Sequence, residues 1–206
     1  MDREKYAACG QDLFAMAIAG SNGIFVDIGS ADPTHNNNTY LLEKNGWKGI
    51  CVEYNSEHNH KYSSRQNSSY INFDATLLNY KEIFTRLEYP PTIDYLSLDV
   101  DENTNSMFRV IPFDDYKFRC ITIEHDAYLA GPAPREFQRY VLTQRGYFLL
   151  FGNIFVEGLS DHGPNEAFED WWVHPAFFQY DMEKLNNMKR ENLYPSEAIE
   201  ILERNK

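Results

Sequence analysis

An apolar run interrupted by glycine, an amphipathic segment and a second apolar run ending in an acid occupy residues 23–53, GIFVDIGSADPTHNNNTYLLEKNGWKGICVE. Ile24, Phe25, Val26 and Ile28 read as a short strand buried on both faces of a parallel sheet. Gly29 breaks the run where the chain must turn sharply. A helix is expected to start near residues 37–39, with Asn38 as its N-cap and Tyr40, Leu41, Leu42 and Trp47 at roughly helical spacing. A second strand over residues 49–52 closes on Glu53. Together these pieces make the first half of a mononucleotide-binding βαβ unit. A ligand in such a unit lies over the strand ends, where Glu53 can accept hydrogen bonds from a ribose.

The loop narrows the choice of nucleotide. A nicotinamide or flavin site usually shows G-x-G-x-x-G, because its second glycine lets the backbone approach a pyrophosphate. Here the run is Gly29-Ser30-Ala31-Asp32-Pro33-Thr34, with alanine in the second place and no third glycine. A Walker lysine is missing too, which excludes a P-loop. Asp27 stands two residues before Gly29. Asp-x-Gly-x-Ala after an apolar strand resembles motif I of class I S-adenosylmethionine (SAM) methyltransferases, whose loop wraps the amino-acid end of the cofactor. Gly29 alone would be an ordinary turn; Asp27 before it and Glu53 after it make the pattern specific.

At 206 residues the chain is expected to form a single domain. An N-terminal helix over residues 3–19, a core over 23–158 and an aromatic-rich tail over 159–206 are its expected parts. The formal net charge of −12 argues against a duplex nucleic-acid partner and against anionic membranes. Cys9, Cys51 and Cys120 are odd in number and widely spaced, and read as buried reduced thiols. With no secretory pattern and no run of membrane-helix length, a cytoplasmic location is expected.

Farther along, Gln11-Asp12, within the N-terminal helix, reads as part of a solvated helix face unless a family resemblance extending from this pair to about Pro175 holds. His58 and His60 are two apart, so a helix would point them to different faces, and a metal site there is not expected. A third strand over 70–73 ends at Asp74-Ala75, where Asp74 can accept from an adenine amino group or simply cap a turn. The run IDYLSLDVDE over 93–102 reads as strand four ending in Asp99. Carboxylates gathered at a strand end repel one another unless a cation, a metal or a transferable proton offsets them. Asp101 and Glu102 are expected on the exposed start of the next helix. Strand five ends at Glu124-His125-Asp126, and His125 has the pKa range of a general base. Apolar runs at 147–151 and 154–157 flank Gly152-Asn153, which reads as a hairpin turn. A terminal antiparallel hairpin after alternating β/α units is a topological mark of class I methyltransferases. In the tail, Trp171 and Trp172 cannot face the same side of a helix, so core packing and a pocket wall are both open to them.

The chain resembles the FkbM family of SAM-dependent methyltransferases. The likeness rests on Phe25-Val26-Asp27-Ile28-Gly29, on Asn38-Thr39 with Leu41-Leu42-Glu43, and above all on Gly46-Trp47-Lys48-Gly49-Ile50-Cys51-Val52-Glu53. It continues through Asp94-Tyr95-Leu96-Ser97-Leu98-Asp99-Val100, Ile121-Thr122-Ile123-Glu124-His125 and Asp170-Trp171-Trp172-Val173-His174-Pro175. Asp32-Pro33 departs from the Asp-Gly common after motif I, and Asp101 stands where glutamate is usual. The resemblance implies a Rossmann-like class I α/β fold, with a mostly parallel sheet of seven strands, a C-terminal antiparallel hairpin and helices on both faces. It implies SAM as methyl donor, S-adenosylhomocysteine as product, and O-methylation of a sugar, glycan or secondary-metabolite hydroxyl. It places the cofactor among Asp27, Gly29, Ser30, Ala31, Thr34, Asn38, Glu53, Tyr54, Asp74, Ala75 and Asp99.

On this basis Asp99 or His125 is the expected base toward the acceptor hydroxyl. A variant adds a divalent metal, magnesium by its oxygen ligands, held by Asp99 with Glu124 or His125. Two other functions fit the same crevice: an NAD(P)-dependent oxidoreductase, and a SAM-binding protein without catalysis.

Overall fold

Successive side chains of a strand point to opposite faces of its sheet, and in this chain most strands are apolar on both. The computed structural model describes residues 5–125, 127–156, 167–177 and 181–205. Its strands are β1 (Ile24–Ile28), β2 (Lys48–Glu53), β3 (Ser68–Asn72), β4 (Thr92–Leu98), β5 (Lys117–Glu124), β6 (Phe148–Phe155), β7 (Ala167–Val173) and β8 (Arg190–Leu193). The helices are α1 (Gln11–Ala19), α2 (Tyr40–Lys44), α3 (Tyr80–Arg86), α4 (Thr104–Met107), α5 (Ala127–Ala130), α6 (Ala133–Gln144), α7 (Met182–Met188) and α8 (Pro195–Arg204).

The strands form one sheet in the order β3-β2-β1-β4-β5-β7-β6-β8. Strands β1 to β5 pair in parallel, β7 runs antiparallel to both β5 and β6, and β8 is parallel to β6. Val26 and Ile28 pack with Tyr80 and Phe84 of α3 and Leu142 of α6 on one face. Phe25 and Cys51 pack with Phe14 of α1, Leu42 of α2, Leu185 of α7 and Ala198 of α8 on the other. Each such apolar side chain contributes roughly 1.5–3 kcal/mol when fully buried. Strand order reverses between β1 and β4, and in open α/β sheets ligands bind beyond the strand ends at that switch point.

Several expectations are corrected. Gly152-Asn153 is not a turn: both residues lie inside β6, and the β6–β7 register shifts between Phe151 and Ile154. Asn153 has φ of 55°, and its N–H donates to Asp170 Oδ1 across the pair at 2.8 Å. The Gly-Asn pair therefore builds a bulge, and the antiparallel partner of β6 is β7, drawn from the aromatic tail. The sheet has eight strands where seven were expected, because β8 adds to β6. Trp171 and Trp172 sit in a strand and enter opposite cores, both fully buried. Gln11 and Asp12 are buried too: Asp12 accepts from the N–H groups of Tyr6, Ala7 and Leu13. Asn38 does not cap α2, since its side-chain amide donates to Ser97 Oγ. Asp126, Glu157, the loop at 160–164, Phe178 and Tyr180 lie outside the described residues. Among those described, no helix is long and apolar enough to cross a membrane.

Candidate functional site

The site begins where β1 runs into Gly29. That residue has φ of +85°, and a Cβ on it would stand 1.6 Å from the carbonyl oxygen of Asp99. Asp99 N–H donates to Ile28 O at 2.9 Å, so the ends of β1 and β4 are clasped with no room for a side chain. The N–H groups of Gly29 and Ser30 donate to Val52 O, and that of Ala31 to Glu53 Oε2. These three donors are engaged within the protein, so what Gly29 gives a ligand is close backbone approach.

Behind the loop lies a buried polar network. Asp27 is fully buried, and burial pushes its carboxyl up to about 6 while Thr39 Oγ1 donates to it at 2.7 Å. The Arg65 guanidinium donates to Glu43 Oε2 at 2.6 Å, to Pro33 O at 2.9 Å, and to Asn37 Oδ1 and Thr39 Oγ1 at 3.1 Å. Asn37 in turn donates to the carbonyls of Ser30 and Asp32. The Asp32-Pro33 departure is accommodated locally. Asp32 accepts from Thr34 N–H, His35 N–H and the Lys61 ammonium, which outweigh partial burial and hold its carboxyl well below the usual range. Thus Asp27, Thr34 and Asn38 scaffold the loop; Ser30 does so through a 2.6 Å contact with the Tyr62 hydroxyl.

In front of the loop opens a cavity of about 390 Å³. Gly29, Glu53, Tyr54, Asp74, Ala75 and Asp99 line it together. Glu53 accepts from Ala31 N–H at 2.9 Å and Asn55 N–H at 2.6 Å. A carboxylate offers about four lone-pair sites, so Glu53 retains acceptor capacity toward a ligand. Asp74 caps the turn that follows it: Thr76 N–H and Oγ1 both donate to its Oδ1 and lower its carboxyl pKa.

At the inner end of the crevice three carboxyl groups converge. Burial, with Asp101 and Glu53 nearby, raises the pKa of Asp99, and neighbouring Glu124 only partly offsets the rise. Glu169 of β7 is the third. Burial pushes it up to about 8, and Asp99 adds to the rise. Gln11 Nε2 and Trp171 Nε1 donate to its two oxygens at 3.1 and 2.5 Å.

The folded-state pKa of Glu169 lies above its unfolded value, so its contribution to stability is complete below about pH 4.5 and is lost as pH rises through about 8. Ligand-free protein is therefore expected to lose on the order of a few kcal/mol between pH 5 and pH 8.5. Glu169→Gln should flatten that slope in urea midpoints measured across the range. An equal slope in the variant would show that Glu169 is ionised at low pH.

Glu124 and His125 diverge. Glu124 lies beside Asp99, whereas His125 Nε2 stands 3.9 Å from Asp170 Oδ1, which accepts from Arg139 Nη2 at 2.8 Å while Asp170 Oδ2 accepts from Arg139 Nε at 2.7 Å. His125 is fully buried, and burial lowers its pKa to about 4, so its imidazole is neutral. The crevice therefore does not gather Asp99, Glu124 and His125 as one acid, base or metal set. Among the described residues no group of three His, Cys, Asp or Glu is placed to hold a metal.

Sequence reasoning missed Glu169 and its pairing with Gln11. The signal was present in Glu169 and Trp171 two apart, which share a face once that segment is a strand. It also missed the Arg65–Glu43 pair, whose partners are distant in sequence.

No family model and no curated protein matches the chain. Solved structures do. A cofactor-bound protein from MTB, Rv0187, aligns at TM-score 0.55 and 14% identity over 84% of this chain and 83% of that one. A candidate caffeoyl-CoA O-methyltransferase from Staphylococcus aureus aligns at 0.54 and 11%, covering 84% of each. A candidate rRNA methylase from Clostridium thermocellum aligns at 0.51 and 9%, over 83% of this chain and 97% of that one. Together with the strand order, these likenesses show that the chain has the Rossmann-like fold of class I SAM-dependent methyltransferases.

Proposed function

We propose that the protein is a SAM-dependent O-methyltransferase of the FkbM kind, acting on a hydroxyl of a small molecule or glycan. The observation that carries this reading is the crevice itself. Gly29, Glu53, Asp74–Ala75 and Asp99 line one cavity at the switch point of the sheet, in the order in which a nucleoside with a charged tail would need them. Glu53 takes the ribose hydroxyls, Asp74 and Ala75 meet the adenine edge, and the clasp at Gly29 admits the methionine part. The convergent acids Asp99, Glu124 and Glu169 suit a cationic ligand, whose charge offsets their repulsion.

When bound, SAM supplies an electrophilic methyl group. Gly29, Glu53, Asp74 and Ala75 would hold the cofactor, and transfer of that methyl to the acceptor hydroxyl would leave S-adenosylhomocysteine as the product. The hydroxyl proton passes to Asp99, whose environment favours taking it. Holding the oxygen in line with the methyl carbon supplies much of the remaining acceleration. His125, buried beside Asp170, takes no part in this assignment.

The test is methyl transfer from labelled SAM to a panel of hydroxyl compounds. Asp99→Asn is expected to lower kcat about 10²–10⁴-fold, measured at saturating SAM so that a change in cofactor affinity does not enter the comparison. Turnover that survives Asp99→Asn would remove Asp99 as the base.

A further inference from the structure

A second cavity, of about 420 Å³, adjoins the cofactor crevice, and Asp101 lines both. Its polar lining carries two carboxylates, two amide side chains and one hydroxyl. Thr104, Asn105 and Gln138 are among its lining residues, and each has one buried oxygen without a hydrogen-bond partner: Thr104 Oγ1, Asn105 Oδ1 and Gln138 Oε1. Thr104 and Gln138 are each only 2% exposed. Asp101 and Glu102 add two carboxylates at the mouth, and among the described residues none of the lining side chains is basic. Leu129 gives an apolar wall. The nearest arginines on α6 are engaged elsewhere: Arg135 on Asn153, Arg139 on Asp170 and Glu191.

Leaving a buried polar group unpaired is costly, so three on residues that line one cavity mark a place completed by a ligand. Amide carbonyls and carboxylates accept hydrogen bonds and give none. A ligand that satisfies this wall must bring donors, and one that satisfies the mouth must bring positive charge. The formal net charge of −12 attracts the same species at long range.

Resting on the methyltransferase reading above, we infer that this second cavity holds the acceptor, and that the acceptor is a small organic cation. It carries an ammonium group together with hydroxyl donors, as an amino sugar or an amino alcohol does. The ammonium sits at Asp101 and Glu102, further N–H and O–H groups reach Thr104, Asn105 and Gln138, and one hydroxyl extends past Asp101 toward Asp99.

The experiment is calorimetric titration of protein saturated with S-adenosylhomocysteine. The probes are glucosamine, 2-deoxystreptamine and ethanolamine, each beside its neutral deaminated or N-acetylated counterpart and a carboxylate counterpart. At least one ammonium compound should bind tenfold or more tightly than its neutral partner, and the carboxylates should not bind. Glu102→Gln and Gln138→Leu should each erase most of that preference with S-adenosylhomocysteine affinity unchanged. Neutral or anionic members binding as well as the ammonium ones would overturn the inference. So would protein that binds S-adenosylhomocysteine and none of the ammonium compounds at millimolar concentration. Protein that does not bind S-adenosylhomocysteine at all would overturn the methyltransferase reading itself, and the inference with it.

Discussion

Arg65→Met should destabilise the fold by about 3–5 kcal/mol, the usual cost of breaking a buried ion pair from one side. The Arg65 and Glu43 side chains are 1% and 7% exposed, so water cannot replace what the substitution removes. The loss spreads beyond Glu43. Pro33 O, Asn37 Oδ1 and Thr39 Oγ1 each lose a donor, and these are the groups that hold the loop after Gly29 in place. Burial alone would raise the Glu43 carboxyl, but hydrogen bonds from Asn67 N–H and the Arg65 guanidinium more than offset it and leave the pKa lowered. A depressed folded-state pKa contributes stability that is present above the unfolded value of 4.5 and lost as pH falls through the folded one. The difference between wild type and Arg65→Met should therefore be full at pH 7 and shrink in acid. Urea unfolding at pH 7 and pH 4 reads both. A difference under about 1 kcal/mol at pH 7, the range of exposed pairs, would show that the pair is solvated.

Gly29→Ala should be as damaging, and for a different reason. A methyl group there would lie 1.6 Å from Asp99 O, far inside contact distance, and the φ of +85° disfavours any L side chain. Neither neighbour can yield cheaply, because the obstacle is backbone and Asp99 N–H is bonded to Ile28 O. The ends of β1 and β4 must part, which opens the floor of the crevice. Cofactor affinity is expected to fall by about 100-fold or more, an effect of about 2.7 kcal/mol, with a lower thermal midpoint. Because the variant is also expected to lose stability, affinity is to be measured well below its midpoint, where the folded fraction is known. Wild-type affinity in folded Gly29→Ala would mean that the clasp is not part of the ligand site.

The parallel half of the sheet was legible because its signals are local. Residues 24–28, Gly29 and Glu53 carry strand, turn and acid within one short stretch, and a buried parallel strand shows itself as an apolar run. The antiparallel end was not. Gly152-Asn153 has the composition of a hairpin turn, and only pairing with distant β7 shows it to be a bulge. Gln11-Asp12 read as solvated because polar residues inside an amphipathic helix expected over 3–19 usually lie on its exposed face; the helix instead begins at Gln11, and the burial of the pair comes from Glu169 and from the chain at Tyr6 and Ala7. Adjacent Glu124 and His125 suggested one shared crevice, yet neighbours near a strand end point to opposite faces. Partners of this kind, far apart in sequence, carry no local pattern.

The measurement to make first is S-adenosylhomocysteine binding by calorimetry, wild type beside Glu53→Ala, with NADH as control. Wild type should bind with a Kd on the order of micromolar, about −8 kcal/mol. Losing a charged acceptor at the ribose should weaken binding by about 1.5–3 kcal/mol, and NADH should not compete. No binding to the wild type, equal binding to Glu53→Ala, or displacement by NADH would contradict the assignment of this crevice to SAM.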